Sequence, residues 1–453
     1  MAKQLHSTTG TEYLYTETID SEGVSPIAFF EAGERLYEGQ RLFWQNREKT
    51  HTIVGLGHAI VLKASDENRI ATIQSEWNRL KQVVVKEKMD QSPILFGGFS
   101  FDPLHVVTGE WAAFSAAFFV VPQFQLEIKN ESIKLSINCM AERTDMSTRF
   151  DQLRKERDRL LHMAQVQERP LFEKANVIEK VERNVPDYLA AVRSVKKEIA
   201  TGKVDKVVIS RSIELDFEES VSSGAALYYA LQEQPESYIF VLENGSSTFI
   251  GATPERLIRK KQGTVYSAGV AGSVRRGKDV GEDQRLGTAL LTDEKNLEEH
   301  EFVVSMIRDV IEPLCKDVTI PNHPKLLKVR DIQHLFTPIQ GKAAAGKDMF
   351  SFVDALHPTP ALGGTPRKQA VELIRELEQM DRGYYAAPIG FVDAEDNGEF
   401  AVGIRSALLR GGKALLYAGG GIVSESEPLA ELEETNVKFR PMLRVLGGHR
   451  HEL

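Results

Sequence analysis

From residue 40 to residue 140 the chain is cut into short apolar runs, each stopped by glycine, proline or asparagine. The runs are Arg41-Leu42-Phe43-Trp44, Ile53-Val54-Gly55-Leu56-Gly57, Pro93 to Phe101, Ala113 to Val121, and Phe124-Gln125-Leu126-Glu127-Ile128. Runs this short, closed by turn residues, read as strands of a mainly antiparallel sheet. One helix, expected over 67–88, interrupts them. The polar residues 1–30 show no clear periodicity and are expected to form an extended or loosely packed arm, and 142–166 reads as a charged surface helix with Leu153, Leu160, Leu161 and Met163 inward. The polar stretch 167–184 is the best internal boundary. It separates a mainly β portion, residues 1–184, from a second portion, residues 185–453, of one continuous fold.

The second portion alternates. A helix from Pro186 to Ala200 carries Tyr188, Val192, Val195 and Ile199 on one face. Lys206 to Arg211, Ser237 to Leu242, Thr248 to Gly251, Ala387 to Val392, Glu399 to Leu409 and Lys413 to Ala418 read as strands. Helices are expected over Gly224 to Gln232, 293–314, Pro366 to Met380 and from Pro428 onward. The fold class is therefore mixed, α/β in the α+β sense. A chain of 453 residues, 42% of them apolar, can bury a large core as one unit.

The net charge of -9 argues against a general binder of nucleic acid or of anionic membrane, so an anionic ligand needs a local basic pocket. Two cysteines, Cys139 and Cys315, lack any metal or redox spacing and suit a reducing, cytoplasmic setting. The first residues lack the apolar core of a signal peptide. The longest apolar run, Trp111 to Val121, is too short to span a membrane.

Near the C-terminus, Glu431, Glu434 and Lys438 are spaced i, i+3 and i+7 and share one helix face. Glu299 falls four residues before Val303 on the apolar stripe of the 293–314 helix, and a buried carboxylate calls for a partner. Glu299 and Glu434, with Glu431 holding a metal-bound water, could ligate a hard cation such as Mg²⁺, which prefers oxygen donors. Arg405, expected on a strand, and Lys438 are candidates to hold a carboxylate ligand. The backbone N–H groups of Gly419 to Gly421 offer a second approach to an anion, or form a simple turn. Lys206 and Glu255 could serve as base and acid. Equally, Lys206 could snorkel and Glu255 could pair with Arg256 at the surface.

Taken in order, several motifs resemble those of chorismate-utilising enzymes. They are Lys206-Val207-Val208-Ile209-Ser210-Arg211, Thr253-Pro254-Glu255-Arg256-Leu257, Ala271-Gly272-Ser273 with Arg276-Gly277, and Glu299-His300. They continue with His357 to Gly364, Pro388-Ile389-Gly390, Gly403-Ile404-Arg405, Ala418 to Val423, and Glu431 to Glu434 with Lys438. The resemblance covers roughly residues 185–446, with Phe96 to Phe101 as the best match before it. It implies one large α/β unit of two big, mostly antiparallel sheets packed face to face with helices outside.

Two positions point to a branch. Ammonia-using members usually carry Gln where this chain has Lys206, and the member with a covalent lysine carries it where this chain has Ala271. The resemblance therefore implies water as nucleophile and the isochorismate-forming branch, ahead of menaquinone or siderophore synthesis. Lys206 would activate the water that attacks C2 of chorismate, and Glu255 would protonate the departing C4 hydroxyl. Mg²⁺ on Glu299 and Glu434 would hold the ring carboxylate and Arg405 the enolpyruvyl carboxylate. Gly272, His334, Ala361 and Gly420 would line the pocket. A monomer without a glutaminase partner is expected. The alternatives are a salicylate synthase, sharing the same residues, and an anthranilate synthase-like aminating enzyme.

Overall fold

The computed structural model describes residues 12–86, 92–105, 109–166, 172–330 and 332–448. Two sheets share one long antiparallel strand pair. Its strands, His51–Ala64 and Ala117–Lys129, pair along their whole length, with a register shift between His58 and Ile60. Pro122 faces that shift, which is where a residue without an N–H can sit inside a ladder. The two runs read separately on either side of Pro122 are therefore one strand.

From the half of this pair beyond Pro122, the first sheet runs outward on both sides. On one side lie Ser132–Ala141, Tyr13–Ser21 and the parallel Val84–Lys86. On the other come Arg41–Gln45, Tyr238–Asn244, Ser247–Thr253, Ser406–Arg410, Lys413–Ile422, Lys206–Phe217 and Val177–Glu182, all antiparallel. The second sheet starts from the other half of Ala117–Lys129. It continues through Ile94–Phe99, Pro388–Asp393, Gly398–Val402, Arg256–Lys261, Thr264–Arg275 and Ile332–Ala343. Strands from before and after residue 185 thus pair directly in both sheets.

Side-chain alternation sorts the two cores. On Tyr238–Asn244, Tyr238, Phe240 and Leu242 enter one apolar cluster while Ile239 and Val241 enter the other. Leu42 and Trp44 against Phe43, and Phe249 against Ile250, divide the same way. Period-two alternation with both faces apolar is what a sheet covered on both sides requires. The second cluster lies under helices Pro26–Ala32, Met146–Val166, Ser223–Glu233 and Pro428–Leu446.

Two expectations need correcting. The arm expected over 1–30 contains the strand Tyr13–Ser21 and the helix Pro26–Ala32, with Leu14, Phe29 and Phe30 fully buried; residues 1–11 lie outside the described residues. The polar boundary over 167–184 contains the edge strand Val177–Glu182, whose outward face leaves Ile178 61% exposed; Gln167 to Pro170 lie outside the described residues. An edge strand gains its hydrogen bonds from one neighbour only, so its side chains can stay polar. Among the described residues, no helix is long and apolar enough to cross a membrane.

Candidate active site

A cavity of about 740 Å³ opens at one end of the first sheet, between the helices Glu294–Ile311 and Pro428–Leu446. Every described residue lining it lies at or beyond Asp205. Lys206, Glu255, Gly272, Glu299, His334, Ala361, Arg405, Glu431, Glu434 and Lys438 all line it.

Lys206 is the first residue of the strand Lys206–Phe217, which pairs with Lys413–Ile422. Its side chain crosses Gly421, where a Cβ would sit 2.5 Å from Lys206 Cε, so only glycine leaves that path open. Nζ lies 3.7 Å from Glu299 Oε1, and 13% of the lysine side chain is exposed. The lysine is thus held at the wall rather than extended into solvent. Glu299 itself is 49% exposed, so it faces the open cavity and not the buried stripe expected from its position beside Val303.

Glu255 sits in the Pro254-Glu255 link between Ser247–Thr253 and Arg256–Lys261. Its N–H donates to Thr253 Oγ1 at 3.2 Å, and its carbonyl accepts from Val402 N at 3.1 Å. Burial pushes its carboxyl from 4.5 up to about 7, against the pull of Arg405 and Lys438. The surface pairing with Arg256 does not form: Arg256 faces Glu399 at 3.6 Å.

Arg405 lies in a break, Gly403-Ile404-Arg405, between Gly398–Val402 and Ser406–Arg410, and not on a continuous strand as expected. Its φ is +50°, and Ala386, also on the cavity wall, has φ +60°. Non-glycine residues held there cost on the order of 1–3 kcal/mol each and cluster at functional sites. The Arg405 carbonyl is anchored by the Ala252 N–H at 3.0 Å. Burial lowers the arginine's hold on its proton, opposed by Tyr385, Glu255 and Glu434. Its guanidinium makes no hydrogen bond or ion pair with a described residue, leaving the fork free for a ligand carboxylate.

Lys438 Nζ donates to Gly419 O at 2.8 Å and meets Glu434 Oε1 at 2.5 Å, one turn earlier on the same helix. Burial lowers its affinity for a proton, against Glu434. His334 Nδ1 is 2.7 Å from Ser273 Oγ. Burial, then Arg405 and Lys438, drive the imidazole down to about 4, so it is neutral at pH 7.

The glycine triplet departs from expectation. Gly419 to Gly421 continue the strand Lys413–Ile422 and pair with Ser210, Ile209 and Val208, so they form ladder rather than an anion-binding turn. Gly419 and Gly421 line the cavity; Gly420 does not.

A family model described as chorismate binding enzyme matches residues 1–447. The isochorismate synthase MenF of Bacillus subtilis (strain 168) is 40% identical over 439 residues, which is 95% of this chain and 92% of the relative. The chain belongs to the chorismate-binding enzymes. A salicylate biosynthesis isochorismate synthase of Pseudomonas aeruginosa is 34% identical, over 90% of this chain and 85% of its own length. Among solved structures, the menaquinone-specific isochorismate synthase MenF of Escherichia coli superposes with a TM-score of 0.81 at 23% identity, covering 96% of this chain and 95% of that one. That likeness establishes the expected two-sheet fold.

In this chorismate-binding enzyme the three glutamates offer only oxygen donors, the chemistry a hard cation takes. Among the described residues no three acidic, histidine or cysteine side chains are drawn together closely enough to hold a metal as they stand. Glu434 is turned to Lys438 and Glu299 to Lys206. Mg²⁺ commonly takes one or two protein carboxylates with water and substrate oxygens, so this half-exposed set fits it without a three-residue cluster. Asn296, one turn before Glu299, donates its side-chain N–H to Asp293 Oδ1 at 2.7 Å. Sequence reasoning gave no role to Ser273, Tyr385, Lys295, Glu425 or Glu427, all on the wall. Ser273 sat inside a quoted motif; Tyr385 carried no signal, since its place depends on stacking against Tyr417 at 5.2 Å.

Proposed function

We propose that this chain isomerises chorismate to isochorismate by adding water at C2 and expelling the C4 hydroxyl. The observation that carries the reading is one cavity holding a lysine and a carboxyl that keeps its proton near neutrality. Lys206, as the neutral amine, takes a proton from water. Glu255 gives its proton to the departing hydroxyl, and the two residues then exchange protons with solvent. Positioned groups of this kind contribute roughly 10²–10⁴-fold each.

Chorismate carries two carboxylates. Arg405 takes the enolpyruvyl one, through its unpaired fork. Glu299 and Glu434 would hold Mg²⁺ with Glu431 on its water, and the cation supplies neutralisation of the ring carboxylate. Lys438 is kept in place by Gly419 O. Neutral His334 donates or accepts at the ring, with Gly272 and Ala361 shaping the wall.

Water as nucleophile removes the need for ammonia and for a glutaminase partner. We take the chain to act as a monomer, and its two free, buried cysteines suit the cytoplasm. The portion before residue 185 buttresses the sheets while the portion from 185 carries the chemistry; that long first portion suits a menaquinone route. Reaction in ¹⁸O-water tests the chemistry. Isochorismate carrying one labelled oxygen at C2 is expected, and an unlabelled product overturns water attack.

A further inference from the structure

We propose that Tyr188 is a positioning residue that orients Glu431 through a gap left by Gly420. The proposal rests on the reading above, in which Glu431 helps to hold a divalent cation. Tyr188 lies on the helix Val185–Ala200, outside the cavity wall. Only 3% of it is exposed, and its hydroxyl has no hydrogen-bond partner. Buried polar groups are almost always satisfied, so an orphan hydroxyl calls for an explanation.

Gly420 supplies one. A Cβ built there would lie 3.6 Å from the Tyr188 hydroxyl and 2.9 Å from Glu431 Oε2. Both oxygens thus border the space beside Gly420, where a side chain would crowd the carboxylate. Glu431 lines the cavity while Tyr188 does not, so the hydroxyl stands behind the carboxylate. With the cation bound, an O–H donated to one oxygen of Glu431 would fix the plane of the group and direct its second oxygen at the cavity. Partners behind a metal-binding group commonly set its orientation and basicity in this manner. The ring itself packs in the core, so the hydroxyl's role is separable from the ring's.

The test is Mn²⁺ binding to the full chain without chorismate, followed by loss of the free-ion electron paramagnetic resonance signal. Tyr188→Phe keeps the ring, and about tenfold weaker Mn²⁺ binding is expected, in the range seen when such partners are removed. Melting of the metal-free protein should stay level or rise, because the hydroxyl has no partner to lose. Glu431→Gln should weaken binding as well, and Tyr188→Phe added to it should change nothing more. Gly420→Ala, whose Cβ would crowd Glu431 Oε2 at 2.9 Å and leave the tyrosine at ordinary contact, should also weaken binding and covers the case in which Tyr188→Phe folds poorly. Parent-like Mn²⁺ affinity in Tyr188→Phe, with Glu431→Gln still impaired, overturns the positioning role and leaves the cation site standing. Additive losses in the double variant overturn the route through Glu431. Unchanged affinity in Glu431→Gln overturns this proposal together with the cation reading beneath it.

Discussion

Replacing Glu255 by glutamine should remove activity and add stability, and both effects follow from one number. A carboxyl at its ordinary 4.5 is protonated in about 0.3% of molecules at pH 7, whereas one at about 7 is half protonated. Burial at the cavity wall thus raises the supply of the acid form more than a hundredfold at neutral pH. Because the proton is what the departing hydroxyl needs, kcat/KM should fall as pH rises through about 7, roughly tenfold per unit beyond it. Glu255→Gln should lose about 10²–10⁴ in kcat, and its residual rate should lack that alkaline limb. For stability the sign is opposite. The folded value lies above the unfolded one, so this group's contribution is complete below about 4.5 and is lost as pH rises through about 7. The ionised form then costs up to about 3 kcal/mol, which glutamine does not incur. Initial rates from pH 5.5 to 9, with urea unfolding at the two ends, measure both effects. A variant within tenfold of the parent, or one retaining the limb, would refute Glu255 as the acid.

Three further outcomes are expected. Lys206→Ala should abolish turnover while Mg²⁺-dependent thermal stabilisation by chorismate persists; measurable turnover would remove the base assignment. Gly421→Ala places a Cβ 2.5 Å from Lys206 Cε, a flexible end that can yield, so the melting temperature should hold while kcat drops about 10²-fold; equal losses of both would mean that the strand itself is disrupted. Glu31, whose side chain is 7% exposed, shares Arg41 with Glu243 at a 3.6 Å contact that is not a hydrogen bond, and is driven by burial up to about 7. Its ionisation should cost stability as pH rises through that value, so Glu31→Gln should stabilise by about 2 kcal/mol at pH 8.5 and little at pH 5; an equal effect at both pH values in urea titrations would contradict this.

The strands were legible where apolar runs stood between turn residues, and the spacing of Glu431, Glu434 and Lys438 correctly placed all three on one cavity. What escaped depends on distant partners. Tyr13–Ser21 mixes threonine and glutamate with apolar residues, and its burial comes from pairing with Ser132–Ala141 and covering by Met146–Val166. Pro122 looked like a strand end because the bulge that accommodates it lies on the opposite strand, near His58. Arg405 looked like strand because nothing local announces a residue held at positive φ. Glu299 looked buried because helical period places it beside Val303, yet the cavity opens on that side. Gly420 was expected to line the pocket, but strand alternation turns it away from its neighbours Gly419 and Gly421.

Product identification is the most direct test of the central claim: purified protein with chorismate and Mg²⁺, with and without ammonium, resolved by chromatography and mass. The account predicts a product of chorismate's own mass, formed without ammonium and lost on adding EDTA. Anthranilate that forms only with ammonium, salicylate with pyruvate as the sole products, or no product at all would contradict it.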